Sequence, residues 1–145
     1  MRTCAQVARE FRRLGRKLSG LHVVVLVGGE PSFRQRAKLE QGAHIAVATP
    51  GRLLDHLYRH AVDLNDVNCV VVDEADRMFE MGFDEQVDEI IKRLPEDRQT
   101  VLFSATYPRN IQNMAESYLR DPSHITVEDI AENAPDIEQY FGFVL

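Results

Sequence analysis

Residues 69–76 read Cys69-Val70-Val71-Val72-Asp73-Glu74-Ala75-Asp76, an apolar run that leads directly into three carboxylates. A short continuous apolar run is typical of a strand buried on both faces, and such strands build the parallel sheets of α/β proteins. In these sheets the chemistry gathers at the carboxyl ends of the strands. We therefore expect the three carboxylates to lie at the functional edge of a parallel sheet.

The rest of the chain alternates apolar strands with helical patterns. Further strands are predicted over residues 22–27, 45–48, 100–103 and 125–127. Helices are predicted over residues 5–18, 33–41, 50–59, 83–94 and 108–119, where apolar residues recur at helical spacing. Gly20 is expected to end the first helix. This alternation predicts an α/β fold in which helices flank a parallel sheet.

The composition indicates one soluble globular domain. The chain has 145 residues, of which 44% are hydrophobic and 28% are charged. Its apolar runs fall far short of the ~20 residues of a membrane span, and residues 1–6 lack the apolar stretch of a secretory signal. The two cysteines, Cys4 and Cys69, fit a reducing compartment, and Cys69 is expected to be a buried free thiol beside three valines.

The charge is distributed unevenly along the chain. The net charge is −6, yet residues 1–60 carry 11 Lys and Arg against 4 Asp and Glu, whereas residues 61–145 carry 6 against 19. A basic half suits contact with phosphates, and an acidic half suits metal ligation or solubility. The alternative is that these charges only solvate helix faces.

The carboxylates after residue 72 have the chemistry of a phosphate-hydrolysing site. A carboxylate at a strand tip can hold Mg²⁺, directly or through water, and a neighbouring Glu can orient and deprotonate an attacking water. Carboxylates crowded at one tip repel each other unless a cation joins them. Taken alone, however, the same residues could be a solvated helix cap.

The quoted residues also resemble a known family. Val71-Val72-Asp73-Glu74-Ala75-Asp76-Arg77-Met78 resembles motif II of the DEAD-box helicases. Ser104-Ala105-Thr106 resembles their motif III, Thr49-Pro50-Gly51-Arg52 their motif Ib, and Gly28-Gly29 their GG motif. Order, spacing and strand context agree from about residue 6 to the end of the chain. Asp76, where the DEAH relatives have His, favours the DEAD-box group.

The resemblance implies a RecA-like parallel sheet and a role for each matched residue. Asp73 would help to hold Mg²⁺ on the phosphates of ATP, and Glu74 would be the general base for the hydrolytic water. The residues that would couple the nucleotide state to RNA binding are Asp76, Ser104, Ala105 and Thr106. The sugar-phosphate backbone of RNA would be bound, largely without regard to sequence, by Gly28, Gly29, Thr49, Pro50, Gly51 and Arg52. The location implied is the bacterial cytoplasm, or the nucleus or cytoplasm of a eukaryote.

The sequence also departs from the family pattern. It contains no Gly-x-x-x-x-Gly-Lys-Ser/Thr phosphate loop, no adenine-reading glutamine motif and no full match to motif Ia. We therefore expect residues 1–135 to be part of a first RecA-like domain that lacks its phosphate-loop strand. Residues 136–145 are expected to be an interdomain linker and the first residues of a second RecA-like domain that is otherwise missing from this chain. Alone, the chain is expected not to hydrolyse ATP.

Several alternatives stay open on the sequence alone. The chain could be an ATP-independent RNA-binding module or an inactive remnant. The strands at residues 100–103 and 125–127 would flank the absent phosphate-loop strand. We expect either that they pair directly or that a sheet of four strands remains from which residues 125–127 have come loose. His56 and His60 have the spacing of a metal pair but no matching ligand nearby. A solvated or RNA-facing surface is expected at Arg34, Arg36 and Lys38. Packing beneath the site is expected for Met78, Phe79, Met81 and Phe83.

Overall fold

The computed structural model describes residues 3–127 of the chain. Its helices are α1 (Cys4–Leu14), α2 (Ser32–Leu39), α3 (Pro50–Tyr58), α4 (Ala75–Glu80), α5 (Asp84–Lys92) and α6 (Arg109–Tyr118). Its strands are β1 (Val23–Leu26), β2 (Ile45–Ala48), β3 (Cys69–Val72) and β4 (Gln99–Leu102). The predicted boundary after residue 135 and the predicted linker lie outside the described residues.

The strands pair in parallel, as predicted for an α/β fold. β1 pairs with β2 from Val23 opposite Ile45 to Leu26 opposite Ala48. β3 pairs with β4 from Cys69 opposite Gln99 to Val72 opposite Leu102. Within residues 3–127 these two pairs form separate two-stranded parallel sheets.

The predicted strand at residues 125–127 does not form. Ile125 and Val127 are 89% and 88% exposed, and the segment has no strand assignment. A three-residue apolar run needs a neighbouring strand to satisfy its backbone groups, and none of the described strands pairs with it. Residues 125–127 are unpaired, as in the second expected outcome, but the four-stranded sheet expected with it does not form among residues 3–127.

The main hydrophobic core lies between β3 and the four helices α3 to α6. α3 contributes Leu54 and Leu57, and these pack with residues of β3, α5 and α6. The buried cluster also contains Leu64, Val72, Ala75, Val87, Ile90, Ile91, Leu94, Ile111, Met114 and Tyr118. Met78 and Phe79 pack against this cluster as expected, whereas Met81 is 54% exposed, contrary to expectation.

The prediction that β3 is buried on both faces, with a buried Cys69, was wrong. Side chains alternate along a strand, so Val70 and Val72 share one face and Cys69 and Val71 share the other. Val70 and Val72 pack in or against the core, whereas Cys69 and Val71 are exposed. Within residues 3–127, one face of β3 is therefore covered by helices and the other faces solvent.

The first helix is shorter than predicted. α1 begins with a capping box, in which the Gln6 N–H donates to Thr3 Oγ1 and the Thr3 N–H donates to Gln6 Oε1. It ends at Gly15 rather than Gly20, and a Cβ at Gly15 would stand 2.2 Å from Leu21 Cδ2. A side chain at position 15 would therefore require the Leu21 side chain to move. Among residues 3–127, no helix has the length and apolar character to cross a bilayer.

Candidate functional site

The acidic segment begins where β3 ends. Glu74 has φ 54° and ψ 49°, a left-handed conformation that is uncommon for a residue with a Cβ, and α4 begins at the next residue. Sequence patterns predicted the acidic residues but missed this short helix, since six residues give too little periodicity to detect. The left-handed turn changes the chain direction abruptly between Asp73 and α4.

Asp76 joins the acidic segment to the segment that follows β4. Its Oδ2 accepts hydrogen bonds from the Thr106 N–H at 3.1 Å and the Thr106 hydroxyl at 3.0 Å. Its own N–H donates to Ser104 Oγ at 3.3 Å. Desolvation acts to raise the pKa of Asp76, but hydrogen bonds from Thr106 and from backbone N–H groups outweigh it and lower the pKa. Asp76 is therefore held as a carboxylate.

Backbone bonds strengthen the same junction. The Phe103 N–H donates to the Val72 carbonyl at 2.8 Å, and the Ala75 N–H donates to the Phe103 carbonyl at 3.0 Å. The expected contact of Asp76 with Ser104 and Thr106 is thus present, while Ala105 is exposed beside it. Any shift of α4 would pull on the segment after β4.

Asp73 is exposed at the tip of β3. One oxygen, Oδ1, accepts the Glu74 N–H at 3.0 Å. Residues 3–127 contain no group of three or more His, Cys, Asp or Glu that could hold a metal ion by themselves. Mg²⁺ characteristically binds through one or two carboxylates together with waters and substrate phosphates, so an exposed Asp73 fits this ion. His56 and His60 belong to no metal-binding group either: His56 is buried and His60 is exposed.

The second group of candidate residues lies at the carboxyl ends of β1 and β2. Gly28 and Gly29 follow β1 and are exposed, and Gly29 has φ +82°, which favours glycine. A Cβ at either position would meet nothing within 4 Å, so the peptide groups of this turn can be approached closely by a ligand. The turn is open, and its exposed surface consists of backbone peptide groups.

The residues that follow β2 start α3. The Thr49 N–H donates to the Leu26 carbonyl at 2.9 Å, which ties the start of α3 to the end of β1. Pro50 occupies the first helical turn, and the Thr49 side chain makes no capping hydrogen bond. A Cβ at Gly51 would stand 3.1 Å from Gln86 Oε1 on α5. The first N–H groups of a helix have no partners within that helix, so the start of α3 can attract an anion.

Arg52 bridges the two loops. Its Nη1 donates to the Glu30 carbonyl at 2.8 Å and to Gln35 Oε1 at 3.1 Å, and its side chain is only 17% exposed. Its Nε lies 3.9 Å from Asp55 Oδ2, but Asp55 is paired more closely with Arg59, at 2.7 Å. The guanidinium is therefore fixed beside the glycine turn mainly by uncharged acceptors.

Sequence reasoning missed Gln35, which is completely buried at 0% exposure. The predicted helix at residues 33–41 was interpreted from its basic residues, and Arg34, Arg36 and Lys38 are indeed exposed. The sequence feature that indicates burial of Gln35 is its spacing from Leu39, because residues four positions apart lie on the same face of a helix. His56 is also buried, at 1% exposure, and its Nε2 lies 3.0 Å from Gln35 Oε1.

The two groups of candidate residues share a core. α3, which begins at the second loop, packs against α5, and its Leu54 and Leu57 belong to the cluster that contains Val72 and Ala75. Val72 and Ala75 flank the residue pair Asp73 and Glu74. The loop after β2 and the acidic segment after β3 are therefore attached to the same hydrophobic core.

Comparisons with known proteins agree with this arrangement. Residues 2–114 match the DEAD/DEAH box helicase family. The chain is 48% identical over 136 residues to ATP-dependent RNA helicase DbpA of Escherichia coli, covering 94% of this chain and 30% of that protein. It is 43% identical to the human ATP-dependent RNA helicase DDX42, covering 94% of this chain and 14% of that one.

Solved structures show the same fold. A DEAD box protein from Methanococcus jannaschii superposes with a TM-score of 0.78 at 39% identity, over 83% of this chain and 32% of that one. The yeast DEAD-box splicing factor Prp28 gives a TM-score of 0.77 at 32% identity, over 81% and 28%. The predicted RecA-like α/β fold is confirmed, and the chain spans less than a third of the length of these proteins. This chain belongs to the DEAD/DEAH box helicase family.

Proposed function

We propose that the chain is part of an ATP-dependent RNA helicase and carries its hydrolytic carboxylates together with one RNA-binding surface. The observation that carries this proposal is the hydrogen-bonded junction of Asp76 with Ser104 and Thr106. This junction joins the acidic carboxyl end of β3 to the carboxyl end of β4, next to Glu74, whose backbone is in the left-handed conformation. The relatives named above, which are called ATP-dependent RNA helicases, support the same function.

Asp73 and Glu74 have separate roles in the proposed reaction. The exposed carboxylate of Asp73 would hold Mg²⁺, and the ion would neutralise phosphate charge during phosphoryl transfer. Glu74 accepts a proton from the attacking water, because a carboxylate is the group at this strand tip that can act as a general base. The left-handed backbone at Glu74 sets where its side chain leaves the chain.

The glycine turn and the start of α3 bind the RNA backbone in this proposal. Exposed peptide groups at Gly28 and Gly29, the first N–H groups of α3 and the Arg52 guanidinium all suit phosphate oxygens. Backbone contacts of this kind carry little sequence information, which suits an enzyme that acts on many duplexes. Asp76 and Thr106 would transmit the nucleotide state towards this surface.

The proposal is tested by Glu74→Gln in the full-length protein that contains this chain. We expect RNA-stimulated ATP hydrolysis to fall by at least about 100-fold while ATP binding is kept, because the amide keeps the shape but cannot accept the proton. Glu80→Gln is the matched control, since Glu80 is an exposed residue of α4 paired with Arg77. Equal hydrolysis by Glu74→Gln and wild type would refute the general-base assignment.

A further inference from the structure

Gln35 is the centre of a buried polar network beneath the proposed RNA-binding surface. Its Nε2 donates to the Val27 carbonyl at 2.8 Å, immediately before the Gly28–Gly29 turn. Its Oε1 accepts from Arg52 Nη1 at 3.1 Å and lies 3.0 Å from His56 Nε2. One buried side chain therefore contacts the loop after β1 and helix α3, which begins after β2.

His56 determines which way the Gln35 amide points. His56 Nδ1 is buried and has no hydrogen-bond partner among residues 3–127, so leaving it without a proton avoids burying an unsatisfied N–H. Nε2 then carries the hydrogen and donates to Gln35 Oε1. A flipped Gln35 would place its NH₂ group against the N–H groups of both His56 and Arg52, which the low polarity of the site would penalise.

The uncharged character of Gln35 matters as much as its position. Arg52 is oriented by the Gln35 amide oxygen and the Glu30 carbonyl, and neither acceptor cancels its positive charge. A glutamate at position 35 would reach the same guanidinium but would form an ion pair with it. A phosphate approaching Arg52 would then meet a neutralised cation.

From this geometry we propose that Gln35, oriented by His56, is the positioning residue of the RNA interface: it holds Arg52 against the Gly28–Gly29 turn through an uncharged contact that leaves the guanidinium charge available to a phosphate. The inference rests on the proposed RNA contact of Arg52. It assigns Gln35 no contact with RNA, because its side chain is fully buried.

The test measures binding of the chain to an oligouridylate about 10 nucleotides long, over a series of salt concentrations. Arg52→Ala serves as the reference and should lower the salt slope by about 0.7, the value for one phosphate contact on a single strand. Gln35→Glu should lower the slope by a similar amount. Gln41→Glu makes the same charge change at an exposed residue after α2 and should leave the slope near the wild-type value.

A second comparison separates positioning from general destabilisation. Gln35→Met removes all three polar contacts of Gln35 at similar volume and should weaken RNA binding by about 3- to 10-fold, roughly the effect of one ordinary hydrogen bond. The double variant Gln35→Met, Arg52→Ala should bind RNA no more weakly than Arg52→Ala alone, because both substitutions remove the same contact between Arg52 and a phosphate. If a Gln35 variant does not unfold cooperatively, His56→Leu tests the same network instead, because it removes the hydrogen bond that His56 donates to Gln35.

The outcomes distinguish this inference from the proposed function. If Arg52→Ala binds RNA as wild type does, the proposed RNA contact is wrong and the inference falls with it. If Arg52→Ala weakens binding but folded Gln35 and His56 variants do not, the inference alone is overturned. Additive losses in the double variant also overturn it. A shared loss of slope in Arg52→Ala and Gln35→Glu, absent in Gln41→Glu, supports it.

Discussion

At the scale of single residues, Glu74 combines a strained backbone with the chemistry proposed for the site. A left-handed conformation costs a residue with a Cβ roughly 1 kcal/mol, and glycine is spared this cost. We therefore expect Glu74→Gly to be more stable to urea than Glu74→Ala by about 1 kcal/mol. Both variants lack the carboxylate and should be inactive in hydrolysis, so the comparison isolates the backbone.

Two urea melts of the chain decide this prediction. The Glu74→Ala variant is the matched control, because it removes the same side-chain functional group and keeps the Cβ. Equal stability of the two variants would mean that the surrounding structure relaxes around position 74 and stores no strain there.

The buried His56 makes the stability of the chain depend on pH. Desolvation lowers the pKa of His56 below its ordinary 6.5, and the charges of Arg52 and Arg59 act in the same direction, while Asp55 opposes them. The unfolded chain therefore takes up a proton near pH 6.5 that the folded chain resists. The resulting stability is present above that pH and is lost as the pH falls towards the lowered pKa.

We expect the urea midpoint of the wild type to fall between about pH 7.5 and about pH 5.5, and His56→Gln to remove part of that fall. Glutamine cannot titrate but can still donate a hydrogen bond to Gln35. His60→Gln, at an exposed residue of the same segment, should behave as wild type. An unchanged pH dependence in His56→Gln would show that other groups cause it.

At the scale of secondary-structure elements, local patterns predicted most of the helices and strands. The strands β1 to β4 and the cores of five helices match the apolar runs and helical spacings, with ends shifted by a few residues. Short-range patterns could not predict α4, since its six residues follow from the left-handed Glu74. They also could not show that residues 125–127 lack a pairing strand, because pairing depends on distant parts of the chain.

The candidate site divides in the same way. Asp73, Glu74, Asp76 and the loops after β1 and β2 were predictable because the strand ends and the family resemblance locate them. The buried Gln35 was not, since its partners Val27, Arg52 and His56 come together only in the folded chain. A glutamine in a basic helix is typical of a solvated surface, and only tertiary contacts distinguish the two cases.

The packing of α6 against the acidic helix α5 gives a second pH effect. Tyr118, the last residue of α6, is 8% exposed, and desolvation together with the charges of Asp88 and Asp84 raises its pKa to about 12. The folded chain thus keeps a proton that the unfolded chain loses near pH 10. Stability is fully present below pH 10 and falls as the pH rises towards 12.

We expect Tyr118→Phe to lack this part of the alkaline destabilisation, which amounts to about 1 kcal/mol near pH 11. The measurement is the difference between the urea stabilities of wild type and variant at about pH 8 and about pH 11. Lysines and other tyrosines contribute equally to both proteins and cancel in the difference. A difference that does not change with pH would place the Tyr118 hydroxyl in contact with water.

At the scale of the whole molecule, the uneven charge distribution should steer RNA to one part of the surface. The basic residues 1–60 contain both proposed RNA loops, whereas residues 61–145 are strongly acidic. Arg34 lies on the exposed surface of α2 in the basic part, and Arg120 is an exposed cation in the acidic part. Long-range attraction of this kind is screened by salt.

We expect Arg34→Gln to slow RNA association at low salt by about 2-fold and to have no effect near 0.5 M salt, where the Debye length is only a few ångströms. Arg120→Gln changes the net charge equally and should leave the association rate almost unchanged. Stopped-flow fluorescence with a labelled oligouridylate measures both rates. Equal slowing by the two variants would mean that net charge, and not its distribution, controls association.

The exposed thiol at the start of β3 offers a site for a spectroscopic label. The chain has only two cysteines, and burial raises the pKa of Cys4, so less of its reactive thiolate forms at neutral pH. Cys69 is exposed and stands at the opposite end of β3 from Asp73, roughly 13 Å away along the strand. A maleimide dye should therefore attach selectively at Cys69 and report RNA binding without any cysteine having to be engineered.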